Sequence, residues 1–270
     1  MRPWGQAARN LRRSHTRSSM MVCVVLLLGS WAVIASDALD GPVSQPSTRI
    51  SAAAGHDAWS LPGRDPGHTS SLLKHMGIKG EISWRFDTDA DWLTQPAIAG
   101  ANIYIATSDG RLSAIKADDG MVTWERVLPT PFSSAPVVTD QMVYLTLRDG
   151  QLVALRQADG HQIWSVKTPA PLAHAPVVHR GVVYAGSWDG SLYAVDAVEG
   201  HLLWTHQTGG RITAPVSINR GLLAVAVNDL LIQIIDLNTG KKRLVFEAPY
   251  LLSAGPVFAG DHVLISTQGG

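Results

Sequence analysis

Four tryptophans, Trp84, Trp124, Trp164 and Trp204, stand forty residues apart without a slip, and the other landmarks of the segment recur at the same interval. Glycines fall at Gly120, Gly160, Gly200 and Gly240. Asp-Gly pairs fall at Asp109-Gly110, Asp149-Gly150 and Asp189-Gly190, and tyrosines at Tyr104, Tyr144 and Tyr184. A fixed period near forty means one supersecondary unit stacked repeatedly, because no single unit of that size buries its own apolar faces.

The third copy shows the content of the unit: Ala175 to His179, Gly181 to Gly186, Ser191 to Asp196 and Leu202 to His206. Each run is of strand length and rich in Val, Tyr or Trp. Asp189-Gly190 joins the second run to the third, and Val198-Glu199-Gly200 joins the third to the fourth. Both are glycine-bearing turns suited to antiparallel hairpins. Four up-and-down strands per repeat make a propeller blade, so the expected class is an all-β propeller of four-stranded antiparallel blades.

A further apolar position, Trp92, Phe132, Leu172, Ile212 and Leu252, keeps the forty-residue spacing, each ahead of a proline at Pro96, Pro136, Pro176, Pro215 and Pro256. The fourth copy loses one residue before Pro215 and regains it before Gly221, which predicts a shifted or bulged inner strand. It also carries Asp229-Leu230 in place of Asp-Gly, which predicts a distorted turn, since a branched residue at positive φ is costly. The fifth copy starts near Lys241 and stops at Gly270, the position of the turn glycines. The expectation is four full blades and a partial fifth in an incomplete ring, and a chain that is a fragment of a longer product. Gly80 to Asp87, with Trp84, matches the fourth strand of a blade lacking its other three, a segment suited to clasping a complete ring.

Charged residues make up 16% of the 270 and the formal net charge is zero. That balance supplies no field to attract nucleic acid, and none is expected as a partner. The zero hides an asymmetry: residues 1–36 hold Arg2, Arg9, Arg12, Arg13 and Arg17 and no acid. Behind them Met20 to Ala35 is apolar apart from Gly29 and Ser30, and ends in small residues. This reads as a secretory signal peptide over 1–36, with a membrane anchor through residues 20–35 as the alternative, short for a span that needs about 20 apolar residues. The single cysteine, Cys23, lies in that stretch without the small residues of a lipoprotein acylation site before it. The pair Arg12-Arg13 is followed by Ser14, His15 and Thr16, where a twin-arginine signal has apolar residues. Residues 37–56 read as a flexible leader, 57–80 as a lead-in segment and 81–270 as the repeats. The location implied is extracytoplasmic, periplasmic or secreted, and no thiol is available to the mature part for disulfides or catalysis.

The eleven residues ending at each tryptophan resemble the Ala-x-Asp-x-x-Thr-Gly-x-x-x-Trp signature of pyrroloquinoline quinone (PQQ) repeat proteins. Ala194, Asp196, Gly200 and Trp204 match best. The first copy has Lys116 and Asp119 at the Asp and Thr positions, the second has Arg156 and Asp159, and the fourth keeps Asp236, Thr239 and Gly240 but has Leu244 for the tryptophan. The resemblance covers roughly residues 80–270. It implies that the glycine closes a turn, that the indole is buried between blades, and that Asp and Thr bond the turn's own backbone.

The family contains quinoprotein dehydrogenases, which hold PQQ with calcium, and BamB-like barrel-assembly scaffolds, which hold no cofactor. The dehydrogenase branch implies carboxylate and amide calcium ligands and, in some members, adjacent cysteines. No cysteine follows Cys23, and the inner-strand starts offer Thr94, Ser134, His174 and Thr213, none of them a carboxylate. A non-catalytic scaffold is therefore the leading expectation, binding a protein partner or a small ligand on the propeller face. A PQQ- and calcium-dependent dehydrogenase and a membrane-anchored sensing ectodomain are the alternatives.

His161 and His201, with His174, His179 and His206, invite a metal site but approach no ligand spacing, so no metal is expected. The Asp-Gly carboxylates are accounted for by turn chemistry. Arg111, Arg148, Arg156 and Arg180 read as scattered solvated charges. Trp188 replaces Ser108 and Arg148 of the other copies, and is a candidate partner contact because tryptophan is enriched at binding hot spots. No catalytic residue is assigned.

Overall fold

The computed structural model describes residues 84–88, 90, 94–172, 174–259 and 262–268. The expected signal or anchor, the leader and the lead-in lie outside the described residues. What is described is all-β. Blade 1 consists of β1 (Ala97–Ala99), β2 (Asn102–Ala106), β3 (Arg111–Lys116) and β4 (Val122–Val127). Blade 2 consists of β5 (Val137–Val138), β6 (Met142–Thr146), β7 (Gln151–Arg156) and β8 (Gln162–Lys167). Blade 3 holds β9 (Val177–His179), β10 (Val182–Gly186), β11 (Ser191–Asp196) and β12 (Leu202–Gln207), and blade 4 holds β13 (Ser217–Asn219), β14 (Leu222–Val227), β15 (Leu231–Asp236) and β16 (Lys242–Glu247). A two-stranded sheet, β17 (Val257–Ala259) and β18 (His262–Leu264), begins a fifth.

Each complete blade is a four-stranded antiparallel meander in sequence order. The blades form an open array of the expected propeller type and not a closed ring. Hydrophobic layers lie between blades. Tyr104, Leu112 and Ala114 of blade 1 pack with Val143, Leu145, Val153 and Leu155 of blade 2, and equivalent layers join blades 2 to 3, 3 to 4 and 4 to 5. Both faces of the middle strands are therefore covered, so β2, β3, β6 and β7 each carry four successive buried residues where a one-sided sheet would alternate. The outer strands are largely exposed.

The signature residues hold neighbouring blades together. Trp124 Nε1 donates to the Gln157 carbonyl at 2.9 Å, and Trp164 Nε1 to that of Ala197 at 3.1 Å, each 33 residues ahead in the next blade. The indole then lies flat on the following glycine: a Cβ on Gly160 would sit 2.6 Å from Trp124, and one on Gly200 2.6 Å from Trp164. Both glycines also have φ near +70°, a region that penalises a side chain. A tyrosine backs each indole, with ring centroids 5.9 Å apart for Tyr104–Trp124 and Tyr144–Trp164 and 5.8 Å for Tyr184–Trp204. Burial pushes the Tyr144 phenol up to about 12, and its hydroxyl donates to the same Ala197 carbonyl at 3.0 Å.

Trp84 does the same work from a segment with no strand pairing of its own. Its Nε1 donates to Ala117 O at 2.8 Å and its ring covers Gly120, so residues 84–88 seal the open face of blade 1.

One sequence expectation for the fourth copy needs correction. The missing residue before Pro215 does not shift the inner strand: β13 pairs with β14 in simple register, Ser217 opposite Ala224 through Asn219 opposite Leu222. The displacement of the proline is contained between Ile212 and Ser217: Ile212 bridges Val227 as Phe132 bridges Leu147, and Ser217 faces Ala224 as Val177 faces Tyr184. The register shift present in this blade lies between β15 and β16 at Ile234/Ile235, and every complete blade has its counterpart, at Ala114/Ile115, Ala154/Leu155 and Ala194/Val195. The turn at Asp229-Leu230 departs from its counterparts as expected: positive φ falls on Asn228 and Asp229, at 51° and 56°, and not on the residue at the glycine position.

Replacing Trp164 by Ala removes an indole buried in the layer between blades 2 and 3 and is expected to cost about 3–5 kcal/mol. Gly200→Val introduces a clash with the same ring and is expected to destabilise by a similar order. Chemical denaturation of the two variants measures both, and an unchanged midpoint in either would contradict the stacking account.

Candidate functional site

All connections between blades run along one face. From blade 2 onward the turn after the second strand is bonded to the connector that leads into that blade: Arg148 N donates to Pro131 O at 3.0 Å, Trp188 N to Pro171 O at 3.1 Å, Asn228 N to Arg211 O at 2.9 Å and Gln268 N to Leu251 O at 2.8 Å. The first residue after each fourth strand bonds back to the turn, as Thr168 N does to Gly150 O and Thr208 N to Gly190 O. A Cβ on Gly110, Gly150 or Gly190 would lie within 2.8 Å of a carbonyl oxygen of the connector that follows. These glycines therefore serve close approach as well as φ. The result is a loop face held by main-chain hydrogen bonds.

On this face Trp188 is 42% exposed. The Arg211 guanidinium lies over its ring, 4.3 Å from the centroid. Each member is fixed independently: Trp188 through Pro171, and Arg211 through Asn228, whose Oδ1 accepts from Arg211 N at 2.8 Å. Among the described residues no carboxylate is paired with Arg211, and one side of the indole stays open. Tyr250 and Leu251, on the next connector, are also exposed. Aromatic surface beside an unpaired, pre-ordered guanidinium has the chemistry of a contact for an acidic protein segment, since Arg stacks and forks to carboxylates at once.

Sequence reasoning singled out Trp188 but missed Arg211, because the two are joined only by the folding of blade 3 against the connector to blade 4. The arginines considered as a basic face are dispersed: Arg111 pairs with Asp109 and Glu125, Arg156 with Asp159, and Arg180 lies in the tight turn ahead of β10 at φ 49°.

The Asp-Gly carboxylates are engaged by their own turns. Asp109, Asp149 and Asp189 accept from the N–H two residues on, that of Arg111, Gln151 and Ser191. Burial pushes the Asp189 carboxyl up, but bonds from Ser191, Tyr193 and Ser187 outweigh it and hold it below the usual range. In the signature turn Asp236 accepts from Asn238, Thr239 and Arg243, and Arg243 and Thr239 bring it down to about 2. Where Lys116 or Arg156 replaces that aspartate, Asp119 and Asp159 bond the turn instead, to Met121 N and His161 N. The histidines lie apart: His161 and His201 are exposed, with His201 Nδ1 3.2 Å from Glu199, and His206 meets Gln233. Among the described residues no three His, Cys, Asp or Glu groups converge.

The inner-strand starts do not fit PQQ with calcium. Their oxygens are hydroxyls already engaged: Thr94 Oγ1 donates to Ala106 O, and Ser134, Thr146 and Ser133 bond one another. A hard cation needs converging carboxylate and carbonyl oxygens, which this set does not supply.

The family model described as outer membrane protein assembly factor BamB matches residues 70–270. The chain belongs to this family. Among solved structures it is similar to BamB from Moraxella catarrhalis, at 22% identity and a TM-score of 0.63, covering 72% of this chain and 61% of that one. It therefore spans under two thirds of that relative. A europium-containing methanol dehydrogenase has a TM-score of 0.63 at 14% identity, covering 76% of this chain and 52% of its own. The computationally designed Ika8 protein has 0.58 at 15%, covering 65% and 55%. At these identities the likenesses show the fold alone. None of the curated proteins matches the sequence.

Trp188→Ala and Arg211→Ala remove a pair exposed on the surface, so each is expected to change unfolding free energy by no more than about 1 kcal/mol. Thermal denaturation of both measures this. A loss of several kcal/mol would make the pair a structural clamp and not a surface element.

Proposed function

We propose that this protein is an exported, non-catalytic scaffold that docks a protein partner on its loop face, through Trp188 and Arg211. The observation that carries this reading is the Trp188–Arg211 stack: aromatic surface and a guanidinium free of any described carboxylate, both ordered before binding. Such ordering lowers the entropy lost on association. Membership of the BamB family supports an assembly role at the outer membrane. The basic, then apolar, N-terminal stretch supports export, with residues 20–35 as the alternative membrane attachment. The partner presents an acidic residue beside an apolar one, and in this reading PQQ and calcium play no part.

A photo-crosslinking residue placed beside Trp188 in the full chain, expressed in its host, is expected to capture one partner. Arg211→Glu is expected to weaken that capture by about 30-fold or more, the scale of a hot-spot loss near 2 kcal/mol. Crosslinking indifferent to Arg211 would remove the docking reading. Dye reduction by an alcohol or sugar that appears only with added PQQ and calcium would replace it with a dehydrogenase.

A further inference from the structure

The end of the blades opposite the loop face carries two turns per blade, one between the first and second strands and one at the signature glycine. They are tied to each other by Ala117 N to Ala101 O and Gln157 N to Gln141 O, both at 2.8 Å, and by Ala197 N to Gly181 O and Leu237 N to Gly221 O, both at 2.9 Å. Their charges therefore stand together. Blade 1 brings Lys116 with Asp118 and Asp119, blade 2 brings Arg156 with Asp140 and Asp159, and blade 3 brings Arg180 with Asp196 and Glu199. Blade 4 reverses the sign: Arg220, Lys241, Lys242 and Arg243 stand with Asp236 alone. Asp261, which follows in the fifth copy, lies outside the described residues.

Asp236 is taken by Arg243, whose Nη2 donates to it at 2.7 Å, and by its own turn. Lys241 and Lys242 are exposed, and among the described residues no acid pairs with either ammonium. Trp204 lies on Gly240, so β12 of blade 3 runs beside this turn. Just ahead of Trp204 it carries Leu202 and Leu203, with Val198 in the preceding turn, and all three are more than half exposed. Glu199, the neighbouring acid, lies 3.2 Å from His201 Nδ1. Outer strands in water ordinarily carry charge. Among the complete blades β4 has Glu125 and Arg126, β8 has Lys167 and β16 has Lys242, Arg243 and Glu247, whereas β12 has none.

We propose that the rim formed by Val198, Leu202 and Leu203 of blade 3 with Lys241 and Lys242 of blade 4 is a lipid-contact surface, laid on a bilayer with anionic headgroups. The inference goes beyond the docking of a partner on the loop face and stands without it. Charge complementarity carries the choice of occupant. A lysine ammonium is a compact charge on a flexible stem, which meets headgroup phosphates without a fixed geometry, and aliphatic side chains beside it enter the acyl boundary. A protein contact is ordinarily built on Trp, Tyr or Arg anchors, and leucine and valine are under-represented there. With the five arginines of residues 1–36 set aside, acids outnumber bases 22 to 17, so an anionic surface repels the molecule as a whole and selects the one rim of opposite sign. A six-residue strand spans about 20 Å from this end to the other. Trp188 and Arg211 are then directed away from the bilayer, open to a partner.

The full chain, purified from its host with Cys23→Ser, is labelled with an environment-sensitive dye at Val198→Cys and, separately, at Ser108→Cys on the loop face. With vesicles of phosphatidylcholine mixed with phosphatidylglycerol the dye at position 198 is expected to report an apolar surrounding, and the dye at position 108 to stay in water. Phosphatidylcholine alone is expected to move neither. Each lysine near such a surface contributes about fivefold, so Lys241→Gln with Lys242→Gln raises the lipid concentration at half-response about 30-fold. All these side chains lie on the surface, where substitution changes stability little, and attachment through residues 1–36 is common to every variant. A response at position 198 of equal size on phosphatidylcholine alone, one that the lysine variant leaves unchanged, one matched at position 108, or none on either vesicle overturns the proposal. A response to polyglutamate in place of vesicles overturns it too, and makes the rim a protein contact.

Discussion

The stacking of each signature indole on the glycine of the next blade is the contact on which the rest of the structure depends. It requires a residue without a side chain, at positive φ, forty residues less four ahead of the tryptophan, and a turn carbonyl placed to accept the indole N–H. Once that distance is met in every copy, neighbouring sheets are held at one spacing. The middle strands are then covered on both faces, and the apolar layers between blades close. The tyrosine behind each ring completes the layer. Trp84 extends the same contact to a stretch that pairs with no strand.

Regularity at the signature face leaves the opposite, loop-bearing face free to vary. There the turns and connectors are tied by main-chain bonds, which constrain few side chains, so Ser108, Arg148, Trp188 and Asn228 stand at equivalent turn positions. The connector between Thr208 and Ile212 brings Arg211 over Trp188, and the same junction is bridged by the His206–Gln233 pair.

Much of the architecture was legible in the residues because period, strand length and turn chemistry are local properties. The one expectation that failed rested on a single residue: Pro215 stands one place early, yet Ser217 faces Ala224 as Val177 faces Tyr184, because the ladder and not the proline sets the register. The turn at Asp229-Leu230 does depart from its counterparts, but local sequence did not show that Asn228 and Asp229 would take the positive φ. The candidate site was legible by half: Trp188 broke the repeat pattern and could be noticed, whereas nothing in the order of residues placed Arg211 upon it.

The sequence by itself determined the four-stranded repeat, its antiparallel order and the identity of the residues that join blades, since periodic tryptophan, glycine and Asp-Gly pairs restrict the backbone wherever they stand. Only the tertiary structure decided which exposed side chains meet. Trp188 and Arg211, or His206 and Gln233, belong to different blades, and their distances follow from the rotation of one sheet against the next. That rotation is set by the packing of the whole apolar layer, to which no short stretch of sequence is tied.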